Sequence, residues 1–127
     1  MDGRQLEDFF HARPEAPEFL VVARFSDAER ALFGTCAREL WLSRVSLDAH
    51  RRSHPEVGLD DYARIPELLR LGEVWAGPQE RRFVLLTMAG KPYRAALKID
   101  RTGDEAWFLS LFISSKQKPP KGAVRIR

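Results

Sequence analysis

Two kinds of hydrophobic spacing divide the chain, and the change falls at Gly72. Before it, apolar positions recur at helical intervals; after it they recur every second residue, the period of a half-buried strand. Leu6, Phe9 and Phe10 predict a short helix over residues 5–10, and Pro14 and Pro17 then force extended backbone. Phe19 to Ala23 is an apolar run suited to a buried strand. Ser26, with Glu29 three residues later, is a capping box for a helix ending near Gly34. Glu39 to Leu42 predicts a strand, and Arg44 to Ser53 a helix capped by Ser43 or Ser46 and stopped by Pro55. A second helical segment, Leu59 to Leu71, starts at Asp60 or Asp61 and is broken in two at Pro66.

Beyond Gly72 the strand candidates are residues 73–76, 81–89, 93–100, 105–114 and 124–126, with turns at Ala89–Pro92 and Arg101–Asp104. A two-residue Thr102-Gly103 loop sets Lys98 opposite Trp107. A three-residue loop with Gly103 left-handed sets Arg94 opposite Ser110, with Lys98 beside it on the same face, and is preferred because glycine falls at the left-handed position. Helices first and an antiparallel meander afterwards make the class α+β. No internal repeat is present. Residues 1–20 are read as an N-terminal arm and residues 21–127 as the domain.

Composition sharpens this picture at three points. No run approaches the ~20 apolar residues of a membrane span, and the acidic N-terminus is unlike a secretion signal, so the expectation is a soluble, cytoplasmic protein. The single cysteine, Cys36, excludes an internal disulfide framework or a multi-cysteine zinc site. The net charge of +3 is unevenly spread: residues 1–90 carry 12 Lys and Arg against 15 Asp and Glu, residues 91–127 carry 9 against 3. A basic C-terminal third suits a surface that meets phosphate, although basic segments are also often merely solvated.

The sharpest local feature is His50-Arg-Arg-Ser-His54, followed by Pro55-Glu56. Spacing of i and i+4 puts both imidazoles on one helix face, where they could act as a general acid–base pair. They could also simply cap and pack the helix end. A zinc site would need a third ligand from Glu56, Asp60 or Asp61, beside two repelling arginines, and lacks a metalloprotease glutamate. A second cluster, Lys98, Arg101, Ser110, Ser114 and Lys116, offers cations and hydroxyls on or beside the sheet, the groups that stabilise a phosphorane, or else an ordinary solvated face. Trp41, Trp75, Tyr93, Trp107 and Phe108 read as core, and an exposed one among them could stack a base. No phosphate-binding glycine loop or nucleophile elbow is present.

The order of several motifs resembles the phage-associated branch of the barnase–EndoU–colicin–RelE (BECR) nucleases. It runs Leu40-Trp-Leu-Ser43, His50-x3-His54-Pro-Glu56, Asp61-Tyr62-x3-Pro66-Glu67, Gly90-Lys-Pro-Tyr-Arg94-x3-Lys98, then Glu105-x4-Ser110 and a basic tail, over about residues 25–120. The resemblance implies N-terminal helices packed on a four-stranded antiparallel sheet. It also implies a metal-independent endoribonuclease of toxin or effector type, without cofactor, acting on RNA such as tRNA by 2′-hydroxyl attack to a 2′,3′-cyclic phosphate. On that reading His54 is general base or acid, His50 its partner, and Lys98 stabilises the phosphorane. Ser110, with Ser43 or Tyr62, orients phosphate or histidine, Ser114 lies beside them, and Arg94, Arg101 and Lys116 hold the RNA backbone. A cognate antidote protein is a further implied partner, and a degenerate domain that only binds RNA or protein is the alternative.

Overall fold

The computed structural model describes residues 3–14, 16–116 and 118–127. The chain runs α1 (Gly3–Phe10), β1 (Phe19–Arg24), α2 (Asp27–Phe33), β2 (Glu39–Ser43), α3 (Arg44–Ser53), α4 (Leu59–Tyr62) and α5 (Ile65–Leu71). It continues through β3 (Glu73–Ala76), β4 (Arg81–Met88), β5 (Lys91–Ile99), β6 (Ala106–Ile113) and β7 (Val124–Arg125). Local signals explain the boundaries. Around α2, Ser26 and Glu29 cap each other's backbone amides at 3.1 and 2.8 Å, and Gly34 closes the helix in the left-handed conformation. Pro66 sits in the first turn of α5, where its missing N–H costs nothing, and the helical segment divides just before it.

The α+β class holds, but the four-stranded antiparallel sheet under N-terminal helices is corrected. The described residues form one seven-stranded mixed sheet, ordered β1-β2-β6-β5-β4-β3-β7, with five helices interleaved among the strands. The parallel step is β2 to β6, through Leu40–Ala106 and Trp41–Trp107. That pairing joins segments more than 60 residues apart and follows from no turn signal, which is why the short strands β1, β2 and β7 can be seen singly in the sequence but not joined to the meander.

The preferred hairpin register is corrected as well. Lys98 faces Trp107 and Ile99 faces Ala106, the pairing of the other register, although Gly103 does take the left-handed conformation expected of it. A bulge then intervenes, so that Ala96 faces Ser110 and Arg94 faces Phe112. An extra residue on one strand re-aims every side chain beyond it.

One sheet face and the helices share a single core containing Leu40, Val84, Tyr93, Leu97, Phe108 and Leu111 from strands and Phe33, Leu47, Ile65 and Leu68 from helices. The segment read as an arm contributes Leu6, Phe9 and Phe10 to the same cluster. Arg44 and Arg51 fasten it, donating to the Phe9 and Phe10 carbonyls and lying over those two rings. Helix α5 touches both β1 and β4. Those strands stand four places apart, about 19 Å in a flat sheet, whereas seven residues of helix span only about 10 Å. The sheet therefore curls around α5, helped by the bulges in β1 and β6. Gly72 permits the closest approach: a Cβ there would lie 2.3 Å from Val84 Cγ1 and 2.6 Å from the Leu68 carbonyl.

Candidate functional site

Helix α3 starts where Ser43 accepts the Ser46 amide at 3.0 Å, and it ends at His54. It lies against β6, which β2 leaves after Trp107, so beyond that residue the edge of β6 has no strand partner on that side among the described residues. His50 fills the place. Its Nε2 accepts the Leu111 backbone N–H at 3.2 Å, and its Nδ1 meets the Tyr62 hydroxyl. An accepting Nε2 leaves the neutral ring's proton on Nδ1, donated to the Tyr62 oxygen. The side chain is 7% exposed, and burial, seconded by the neighbouring His54, pulls its pKa below the usual histidine value. Burial likewise pushes the Tyr62 hydroxyl far above its ordinary range. His50 is thus a neutral imidazole with both nitrogens engaged.

His54 differs in every respect. Its ring lies 5.0 Å from that of His50, centroid to centroid, and 4.5 Å from that of Phe112, which it meets edge-on. The side chain is 34% exposed, and Nδ1 stands 3.2 Å from Glu56 Oε1. Glu56's own backbone amide and His54 hold that carboxylate below the usual range. A carboxylate on Nδ1 fixes the ring and leaves Nε2, which has no hydrogen-bond partner among the described residues, as the available nitrogen. The His54 side chain lines a shallow cleft of about 340 Å³ together with Ser46, Ala49, Ser53, Leu109 and Phe112.

Next to Tyr62 stands a second polar centre. Asp61 is 2% exposed and accepts from the Gly58 amide at 2.7 Å, from Lys91 Nζ at 3.1 Å and from the Tyr93 hydroxyl. Burial, the largest single influence, opposes its ionisation, but the bonds from Tyr93, Gly58 and Lys91 together hold its pKa below the ordinary value. The same bond, after burial, pushes Tyr93 up to about 12. This centre ties α4 to the start of β5.

The predicted residues fall into separate groups. His50, His54 and Tyr62 come together; Arg94 faces their neighbour Phe112 across the β5–β6 ladder, while its guanidinium lies over Phe83 on β4. Ser110 precedes the Leu111 amide that His50 accepts. Lys98 stands four residues along β5 from Arg94, roughly 13 Å away at the rise of a strand. Ser43 caps the far end of α3, about 15 Å from His54 along the ten-residue helix. Arg101 is almost fully exposed in the β5–β6 turn and pairs with Glu80 at 3.5 Å. The Ser114 hydroxyl accepts the Lys116 amide and donates to its carbonyl, a local turn apart from the histidines.

Glu56 and Asp61, which the sequence offers among the possible third ligands of a zinc site, instead orient His54 and anchor Lys91 and Tyr93. The Pro55-Glu56 step directly after His54 is the available signal for the first. Phe112 carries no signal, because its place depends on the β6 bulge. Among the described residues no three His, Cys, Asp or Glu side chains gather to hold a metal ion. No helix of the described residues is long and apolar enough to cross a membrane. Searches against models of protein families, curated proteins and solved structures give no match for this chain.

Proposed function

We propose that the chain is a metal-independent endoribonuclease of toxin or effector type, with His54 as the proton-transfer group. The observation that carries this reading is the His54–Glu56 pair: an imidazole fixed through Nδ1, with Nε2 unpartnered among the described residues, on a side chain that lines a cleft with Phe112. Nε2 takes the proton of an RNA 2′-hydroxyl as its oxygen attacks the adjacent phosphorus. The phosphorus–5′-oxygen bond breaks, and the protonated ring returns the proton to the departing oxygen. The products are a 2′,3′-cyclic phosphate and a 5′-hydroxyl. Arg94 supplies positive charge for the phosphorane oxygens. His50 is a positioning residue, holding the end of α3 against β6.

A second reading is a domain that binds RNA without cutting it. It is favoured by the full engagement of both His50 nitrogens and by the distance of Lys98 from His54. Incubation with total tRNA and ribosomal RNA in chelator, followed by chemical mapping of new ends, separates the two. New 2′,3′-cyclic phosphate ends support the nuclease. Binding that weakens with salt, without new ends from pH 5 to 8, supports the binding domain.

A further inference from the structure

The sheet face turned away from the helices carries an ordered array of aromatic and basic side chains. Strand pairing lines them up in rows about 7 Å apart along the strands. One row reads Trp41, Trp107, Lys98, Arg81 across β2, β6, β5 and β4. The next reads Ser110, Ala96, Phe83, Trp75 and Arg125 across β6, β5, β4, β3 and β7. The third begins with Phe112 and Arg94, and Phe112 is the ring against which His54 packs. None of these aromatics belongs to the core cluster, and each is half-buried. Arg94 lies over the Phe83 ring at 5.6 Å, which shows that neighbouring rows meet on one surface.

Arg125 pairs with Glu73 at 3.7 Å, and the Trp75 and Trp107 indoles donate to Glu73 and Glu105, but the other three cations of the array stand without such partners among the described residues. Arg81 and Lys98 stand directly opposite each other on adjacent strands, an arrangement that costs stability when nothing lies between the like charges. Neither they nor Arg94 has an acidic partner among the described residues. Arg81 Nη1 is buried and finds no hydrogen-bond acceptor among those residues. An anion between Arg81 and Lys98 would satisfy all three conditions. Flat apolar rings on either side suit bases on a phosphate backbone, and stacking on rings requires bases that are not already paired.

We infer that this face is a platform for a single-stranded segment of RNA, its bases on Trp107, Phe83 and Trp75 and its phosphates on Arg81, Lys98 and Arg94. The inference rests on the nuclease reading for the choice of RNA and for the entry of the strand at Phe112, beside His54. Duplex RNA is excluded because its bases are stacked on one another.

All three tryptophans of the chain lie on this face, so intrinsic fluorescence reports binding directly. The probe is a 12-nucleotide single-stranded RNA with 2′-O-methyl groups, which cannot be cut by 2′-hydroxyl attack, titrated into the full chain. The expected result is quenching of tryptophan fluorescence, with at least tenfold weaker binding of the same sequence as a duplex. Phe83→Leu is expected to weaken binding about tenfold. Arg81→Gln with Lys98→Gln is expected to lower the slope of log affinity against log salt by about 0.7 for each phosphate that is no longer neutralised, while leaving thermal stability equal or higher. Those charge variants remove no core packing, so misfolding cannot imitate the result. Equal binding of duplex and single strand, or an unchanged salt slope in the double variant, would overturn the platform. Binding as expected in a chain that makes no new ends on unmodified RNA would retire the nuclease reading alone.

Discussion

Replacing His50 with leucine separates the two histidines by their duties. The substitution keeps an apolar side chain of similar size in the space between α3 and β6 but removes both ring nitrogens. The Leu111 amide and the Tyr62 hydroxyl then lose their partners in a site that is 7% exposed at His50 and 1% at Tyr62. A buried polar group left unsatisfied costs about 1–3 kcal/mol, so two cost about 2–6 kcal/mol, offset by roughly 1 kcal/mol from the added apolar burial. For a chain of 127 residues, unfolding entropy near 60 °C makes 1 kcal/mol worth about 4 °C in Tm. His50→Leu is therefore expected to melt about 4–20 °C lower, followed by circular dichroism. Tyr62→Phe in the same background removes one of the two orphans and should cost less than it does alone, by about 1 kcal/mol or more. A His50→Leu protein melting within 2 °C of the parent, or strictly additive variants, would refute the assignment of His50 as the partner of the β6 edge.

Other consequences follow from the same geometry. Folding lowers the His50 pKa, so between its folded value and about 6.5 the unfolded chain binds more protons; stability should fall as pH drops through that window, and His50→Gln should flatten that part of the profile in urea titrations at stepped pH. Gly72→Ala drives a methyl group into Val84 and the Leu68 carbonyl and should cost about 1–3 kcal/mol in denaturant unfolding, although the φ of Gly72 is open to any residue. Asp61→Ala strips the acceptor from Tyr93, Lys91 and the Gly58 amide and should cost about 2–4 kcal/mol, whereas Lys91→Met, which removes only a half-exposed partner, should cost about 1–2 kcal/mol.

What is legible in the sequence is whatever local chemistry decides. The α2 capping box, the break before Pro66, the i, i+4 histidine face and the left-handed Gly103 all depend on residues a few places apart. The joining of β2 to β6 depends on two residue pairs, Leu40–Ala106 and Trp41–Trp107, that no turn specifies. Both the width of the sheet and the free β6 edge that His50 occupies follow from that one junction. The β6 bulge has the same effect on the site: without its extra residue Arg94 would face Leu111, and with it Arg94 faces Phe112 and Ala96 faces Ser110. Aromatic residues on a strand look alike in sequence whether they face the core or the opposite side, so Trp41, Trp75 and Trp107 read as core there.

Cleavage of RNA by the parent chain and by His54→Ala, with melting curves on the same samples, tests the central claim most directly. His54 is a third exposed at the end of α3, so its loss should leave Tm within a few degrees. The account predicts 2′,3′-cyclic phosphate ends with the parent and none with a fully folded His54→Ala. Equal cleavage by that variant would contradict it.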